Sequence, residues 1–221
     1  RAAAMATANQ LLTIARKQLG ICENPPGSNN VRYNTWYYGR EVMGSAYPWC
    51  MVFVQWVFAQ AVVKLPVRTA SCGALMNAAK AAGCWVTTGF KPGDVVIYDF
   101  PGGADTDHCG IVETELPDYG VQAVEGNTSQ SGSQSNGGMV CRKNRPGKYI
   151  VGAVRPVFDK EKEEDDMVIY KTLNDVPSWY KAAVQKAMDK DALKGTSGKE
   201  INVSEDLCRT LTVLDRLGKL D

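Results

Sequence analysis

The chain has 221 residues, of which 44% are hydrophobic and 22% charged, and its formal net charge at pH 7 is +1. This is the composition of an ordinary globular protein, long enough for a medium domain and a small second one. The near-zero charge argues against a nucleic-acid-binding protein, which would need a dense basic surface. No run of about 18 apolar residues occurs, so the sequence predicts no membrane-spanning segment.

The seven cysteines are odd in number and scattered along the chain. Such usage is typical of a reducing compartment, where thiols are structural or catalytic rather than paired. There is no Cys-x-x-Cys and only one histidine, His108, so we expect no metal site and no cofactor. No basic-then-apolar leader follows Met5, which favours synthesis in a cytoplasm without a signal peptide.

The first part of the chain predicts helices. Residues 7–19 show an amphipathic pattern that ends at Gly20. Residues 49–63 are apolar nearly all round, as in a buried helix, and residues 69–83 form a third, alanine-rich pattern. Residues 23–47, rich in Asn, Gly, Pro and Tyr, are predicted to be irregular.

After residue 93 the pattern changes to short β-branched segments separated by turn residues. Five strands are predicted, at residues 94–100, 108–114, 119–125, 138–143 and 150–155. Helices followed by a run of strands indicate an α+β fold. Residues 158–167 are dominated by charge and predict an acidic solvated linker, and two amphipathic helices follow near 179–190 and 205–217.

Cys50 lies in the first turn of the predicted buried helix. There the helix dipole and the free backbone N–H groups stabilise a thiolate. The backbone N–H of Cys50 also points to where the oxyanion of a tetrahedral intermediate would form. Taken alone, a cysteine in an apolar helix is more often an inert core residue, so a nucleophile requires a nearby base as further evidence.

His108 begins a predicted strand after a glycine-rich loop, and taken alone it could be an ordinary loop histidine. Glu125 ends the next strand. If the two strands pair antiparallel, Glu125 can accept a hydrogen bond from one imidazole nitrogen of His108 while the other nitrogen faces the thiol. Without such a pair, Glu125 would be a solvated charge at a strand end.

Four motifs occur in order within residues 6–157: Tyr-Pro-Trp-Cys50-Met-Val-Phe-Val, Lys-Pro-Gly-Asp94-Val-Val-Ile-Tyr, Asp-His108-Cys-Gly-Ile-Val-Glu and Val-Glu125-Gly-Asn127-Thr. The ordered set resembles the cysteine, histidine-dependent amidohydrolase/peptidase (CHAP) family. The resemblance implies a papain-like fold with a cysteine nucleophile, a histidine base, an acidic orienting residue and an assisting asparagine. Residue by residue, these roles fall on Cys50, His108, Glu125 and Asn127. The implied substrate is peptidoglycan, cut between muramic acid and L-Ala or within the peptide stem.

Two departures from the family pattern bear on the site. Some members bind calcium through aspartates around the catalytic cysteine, whereas this chain has Asn29, Asn30 and Asn34 in the corresponding stretch. We therefore expect no calcium. The glutamine that papain-type enzymes use to bind the oxyanion is replaced by Gly44, so the second oxyanion donor is not identified by the sequence.

Three residues adjoin the candidate catalytic residues. Tyr47 and Trp49 flank the nucleophile and are predicted to line the substrate groove, although aromatic residues here can also be core. Cys109 follows the base, but alternation along a strand sends its side chain to the opposite face, so it is predicted to be core.

Residues 168–221 resemble one S-layer homology module, a kind of module that holds proteins to cell-wall polymers. The resemblance rests on Asn-Asp175-Val-Pro-Ser-Trp179-Tyr, Leu-Lys-Gly195-Thr and Leu-Cys-Arg209-Thr. The alternative is a small helical appendage without a ligand. A unit of about 50 residues rarely buries enough apolar surface alone, and its second helix carries leucines at 207, 211, 214 and 217. We therefore expect a homo-oligomer held by this module.

Together these features predict a phage-type endolysin that is released to the cell wall by a holin. It would have a catalytic domain (6–157), an acidic linker (158–167) and a module for wall binding or oligomerisation (168–221). The bond would be cut by an N-acetylmuramoyl-L-alanine amidase or a stem or bridge endopeptidase. Its partners would be peptidoglycan and a secondary wall polymer. Two alternatives are an amidase for a small peptide conjugate and a non-catalytic wall-binding protein.

Overall fold

The computed structural model describes residues 5–101, 106–160, 168–194 and 200–220. The chain forms two compact units, residues 1–161 and 162–221. Their division falls inside the stretch predicted to be a linker, of which residues 161–167 lie outside the described residues. Of the helices in the described parts of the chain, none has the length and apolar character needed to cross a membrane.

Helices of the first unit are α1 (Ala8–Arg16), α2 (Arg32–Tyr38), α3 (Cys50–Gln60) and α4 (Cys72–Ala81). A capping box between Thr7 and Gln10 starts α1, and the Ser71 hydroxyl caps α4. The three predicted helices are confirmed with slightly shorter bounds. The prediction that residues 23–47 are irregular throughout is wrong at α2. That short helix has no side-chain cap and is held by packing, since its buried Tyr33 lies 5.2 Å from the Phe53 ring.

Six strands of the first unit form one antiparallel sheet in the order β1-β6-β2-β3-β4-β5. They are β1 (Trp85–Val86), β2 (Val95–Tyr98), β3 (His108–Glu115), β4 (Val121–Thr128), β5 (Met139–Arg145) and β6 (Ile150–Val154). The five predicted strands are confirmed, and β1 is additional. The fold is α+β, as the order of helices and strands predicted.

The two faces of the sheet contribute to different apolar clusters. The side chains of Ile97, Cys109 and Ile111 belong to the main core with α3, whereas the alternate residues of the same strands form a smaller cluster. Gly126 of β4 permits the close approach of α3, because a Cβ at residue 126 would lie 2.6 Å from the Cβ of Phe53. This contact sets the beginning of α3 against β4, the strand that carries Glu125.

The second unit contains β7 (Ile169–Tyr170), α5 (Ser178–Asp189), β8 (Val203–Ser204) and α6 (Glu205–Arg216), with β7 and β8 antiparallel. Both predicted helices are confirmed. The four leucines of the predicted stripe do not share one environment. Leu211 is buried and Leu214 half-buried, but Leu207 and Leu217 are 38% and 66% exposed. Gly195, part of the S-layer-like pattern, lies outside the described residues.

Candidate active site

Cys50 is the first residue of α3 and is almost completely buried. The thiols of Cys109 and Cys72, which face its sulfur, hold the pKa of Cys50 well below its usual range, and His108 acts in the same direction. Burial opposes these effects by raising the pKa. The net direction favours a thiolate at the N-terminus of a helix, where the dipole also stabilises negative charge.

His108 is the first residue of β3 and is fully buried, stacked on Tyr98 with 5.9 Å between ring centroids. Its Nε2 lies 3.0 Å from Oε2 of Glu125. Its Nδ1 is also buried and has no hydrogen-bond partner among the described residues, which leaves this nitrogen for Cys50. Burial lowers the pKa of His108, but the Cys50 thiolate and the Glu125 carboxylate outweigh that effect and raise it to about 9.

Glu125 reaches His108 across a glycine. The side chain of Glu125 lies over Gly110 of β3, where a Cβ would be only 2.7 Å from the Glu125 Cγ. The carboxyl is fully buried. Burial raises the pKa of Glu125, but the hydrogen bonds and charges of His108 and Arg145 lower it by more. The net shift is downward, so the group is a carboxylate. The sequence prediction that antiparallel β3 and β4 bring these two residues together agrees with this geometry.

Arg145, at the end of β5, is a member of the site that the sequence analysis missed. Its Nε donates to Glu125 Oε1 at 2.9 Å and its Nη2 to Glu125 Oε2 at 2.5 Å. The guanidinium is buried and lies 4.8 Å from the centroid of the Phe100 ring. With Cys50 as the thiolate and His108 protonated, the direction that both pKa shifts favour, the four groups from Cys50 through His108 and Glu125 to Arg145 alternate in charge and the set is neutral. Such compensation makes the burial of charge tolerable.

Asn127 is buried, but both ends of its amide bind the β4–β5 loop. Its Oδ1 accepts from the backbone N–H of Gly138 and its Nδ2 donates to Oδ1 of Asn136, both at 3.2 Å. Its φ of 56° bends the chain at this point. The structure therefore does not bring Asn127 against the imidazole, and its role as an assisting residue stays a prediction.

The two aromatic residues before the nucleophile differ in exposure. Trp49 is fully buried, and its Nε1 donates to Oε1 of Glu23 at 2.8 Å. The prediction that Trp49 lines the substrate groove is therefore wrong, because its indole packs in the main core against Tyr33. Tyr47 is half-buried and packs edge-on against Tyr38, so its role in substrate binding stays a prediction.

Two further thiols lie beside that of Cys50. Cys72 is the first residue of α4 and Cys109 lies on the helix-facing side of β3. Their sulfur atoms and that of Cys50 all lie within 4.8 Å of one another, in a group that we call the three-thiol cluster. Cys109 is core, as predicted. Its side of β3 faces the first residues of α3 and α4, so its sulfur lies beside those of Cys50 and Cys72. Spacing along the chain gave no signal for Cys72.

The stretch around Asn29 and Asn34, which corresponds to the calcium-binding residues of some family members, is held together by side-chain amide hydrogen bonds. Nδ2 of Asn34 donates to the carbonyl oxygens of Asn29 at 2.8 Å and Tyr47 at 3.0 Å. Nδ2 of Asn29 donates to the carbonyl oxygen of Gly44 at 3.0 Å. These N–H groups donate to backbone carbonyl oxygens, which are the kind of ligand that coordinates calcium. The absence of calcium stays a prediction.

Comparison with known proteins places a family match over the site. Residues 42–127 match the CHAP domain, less than half of the chain but including Cys50, His108 and Glu125. No curated protein matches the sequence. Among solved structures, the wild-type endolysin LysIME-EF1 is similar at 18% identity and a TM-score of 0.45, over 70% of this chain and 66% of that one. Ly7917 is similar at 20% identity and a TM-score of 0.40, over 68% and 62%. The structure of Ly7917 with the hydrolyzing product of MDP gives the same identity and TM-score.

Proposed function

We propose that this protein is a peptidoglycan hydrolase that cleaves an amide bond with Cys50 as the nucleophile. The observation that carries the proposal is the buried line from Cys50 through His108 to Glu125, which lies inside the region that matches the CHAP domain. A thiol of lowered pKa, a histidine and a carboxylate bound to the far ring nitrogen are what acyl transfer to a cysteine requires.

In the first half of the reaction, the Cys50 thiolate attacks the carbonyl carbon of the scissile amide. Negative charge then develops on the carbonyl oxygen, and the backbone N–H groups at the start of α3 stabilise it. Protonated His108 donates its Nδ1 proton to the leaving amine as the C–N bond breaks. The products of this step are a free amine and a thioester on Cys50.

In the second half, neutral His108 accepts a proton from water, and the hydroxide attacks the thioester. The carboxylic acid leaves and the thiolate–imidazolium pair is restored, so atoms and charge balance over the cycle. Glu125 stabilises the imidazolium each time it forms, and Arg145 holds Glu125 in place.

Purified sacculi provide the test. Wild-type protein should lower the turbidity of sacculi and release fragments with new amino termini, whereas Cys50→Ala should release none and keep its fold. Mass spectrometry identifies the bond, since new termini on L-Ala indicate an amidase and new termini within the stem or bridge an endopeptidase. Cleavage of small peptide conjugates without any action on sacculi would favour the small-substrate amidase instead. Wall binding without cleavage would favour the non-catalytic alternative.

We propose that the second unit attaches the protein to a secondary wall polymer and assembles copies of the chain, so that the enzyme acts at the wall as an endolysin. Exposed Leu207, Leu217 and Trp179 support an apolar surface that another copy would cover. Several copies in one particle would give several wall contacts and therefore avidity. Light scattering on the full chain and on a chain ending near residue 159 tests assembly, and a full-length monomer at micromolar concentration refutes it.

A further inference from the structure

The three-thiol cluster contains two thiols that the proposed reaction does not use. Hydrolysis needs only Cys50, yet Cys72 and Cys109 face it from two other elements. Among the described residues this is the one place where three potential metal ligands of the Cys, His, Asp and Glu types converge. All three are buried, and Cys141, equally buried in the same unit, lies outside the group.

We propose that Cys50, Cys72 and Cys109 bind a thiophilic divalent ion of the zinc class, and that the bound ion blocks the nucleophile. Zinc prefers thiolate and imidazole ligands in tetrahedral geometry. Each thiol that binds gives up its proton, so three thiolates fill three positions and water completes the fourth. The inhibitory consequence rests on the proposed function, whereas metal binding itself does not.

The spacing of the sulfur atoms suits such an ion. With Zn–S bonds of about 2.3 Å, tetrahedral coordination places two thiolates about 3.8 Å apart. Sulfur atoms that already lie within 4.8 Å of one another need to move by no more than about 1 Å. That adjustment is available through side-chain rotation without a change in the fold.

Two helix N-termini meet at the three-thiol cluster. Cys50 and Cys72 are the first residues of α3 and α4, which have 11 and 10 residues, so two helix N-termini direct their dipoles at the cluster. His108 faces Cys50, but it is not among the residues whose ligand atoms converge here, so the cluster itself supplies three sulfur ligands.

Bound metal would act as a reversible block of hydrolysis. A thiolate that is coordinated to zinc shares a lone pair with the ion and is a much weaker nucleophile toward a carbonyl carbon. Free zinc would therefore hold the enzyme inactive, and a chelator would release the nucleophile. The cluster gives this block a higher affinity than a Cys–His pair alone, because it supplies two additional thiolates.

Cobalt and zinc ions, added to the full chain under reducing conditions, test the inference. Wild-type protein should bind one equivalent of Co²⁺ with a thiolate-to-cobalt charge-transfer band, and zinc should displace it. Cys72→Ser and Cys109→Ser should each weaken binding by more than about 100-fold, since even the loss of an outer contact to a metal ligand costs 10- to 100-fold. Cys141→Ser, which removes a buried thiol outside the cluster, should bind as the wild type does.

Each outcome decides the inference. Absence of a charge-transfer band in the folded wild type would overturn it, and so would zinc inhibition that is equal in the wild type, Cys72→Ser and Cys109→Ser. The latter result would mean that Cys50 and His108 alone bind the ion. A normal band in Cys50→Ala would also overturn it. Melting temperatures check that each variant folds, and Cys109→Ala replaces Cys109→Ser if the hydroxyl is not tolerated. If the protein proved not to hydrolyse peptidoglycan, the cobalt band would still decide whether the cluster binds metal.

Discussion

The two units of this chain differ in what they bury. In the first unit, buried side chains include a histidine, two arginine-bound glutamates and several amides. In the described residues of the second unit, 168–194 and 200–220, every buried side chain is hydrophobic. Its ion pairs, such as Arg209 with Glu205, lie at the surface.

The first unit therefore has a buried polar site, whereas the distinctive side chains of the second unit lie on its surface. Burial of an unpaired charge costs several kcal/mol, and even a paired one is often no more stable than an apolar replacement. Under the proposed function, the buried line of Cys50, His108, Glu125 and Arg145 serves reactivity rather than stability. The described part of the second unit has no such buried line of charges, and its exposed Trp179, Leu207 and Leu217 offer an apolar surface for contacts.

After loss of Cys50 itself, the largest effect should come from the carboxylate that binds His108. Glu125→Gln keeps the shape of the side chain but removes the charge that stabilises the imidazolium, so hydrolysis of sacculi should slow by about 10²–10⁴-fold. Glu113→Gln is the matched control, because Glu113 is also a buried carboxylate bound by arginines, Arg16 and Arg142, but it does not contact His108. Equal rates in these two variants would refute the role of Glu125.

Loss of the buried guanidinium should cost stability more than loss of an exposed one. Arg145→Met leaves the Glu125 carboxylate buried with one partner fewer, and should lower the free energy of unfolding by about 3–5 kcal/mol. Arg209→Met in the second unit, whose side chain is 60% exposed, should cost far less, because solvent screens an exposed ion pair. Denaturant unfolding of both variants gives the comparison. Arg145→Met should also lower the rate of hydrolysis, which Arg209→Met should not.

The pH dependence should report the His108 proton. Protonated His108 is required to donate to the leaving amine, so the rate should fall as pH rises through about 9, the raised pKa of this residue. On the acid side, activity should persist to low pH because the pKa of Cys50 is well below its usual range. In Glu125→Gln the alkaline limb should move to lower pH, since one cause of the raised pKa is gone. A limb that stays in place would mean that another group sets it.

The smallest effect should come from calcium. Because the amides of Asn29 and Asn34 already bind the loop carbonyls, EDTA should not reduce hydrolysis, and added calcium should not increase it. If zinc occupies the three-thiol cluster of the purified protein, EDTA should instead raise the rate. Loss of activity in EDTA that calcium restores would contradict this account of the loop.

The sequence predicted those features that depend on local pattern. Helix α3 and the antiparallel pairing of β3 with β4 follow from apolar runs and alternation, and they place His108 beside Glu125. Contacts between distant elements were not predictable in this way. Arg145 lies on β5, and its long side chain extends over the sheet to Glu125 on the neighbouring β4. Cys72 contacts Cys50 only because α3 and α4 begin at the same place.

Local pattern also misled at two points. The aromatic Trp49 next to Cys50 suggested a groove, but its indole packs in the main core. The stretch 23–47 has the composition of a loop, yet residues 32–38 form a helix because Tyr33 packs among Trp49, Phe53 and Trp56. In both cases tertiary packing overrode the local preference.

The pH dependence of Cys50 alkylation tests the central claim most directly, namely that the thiolate of Cys50 is paired with the imidazolium of His108. The rate of iodoacetamide labelling at Cys50, followed by mass spectrometry of its peptide, should already reach a plateau well below pH 9. It should change a second time as His108 loses its proton near pH 9. A single rise at the ordinary pKa of a thiol, about 8.5, would show that Cys50 is not activated and would contradict the account.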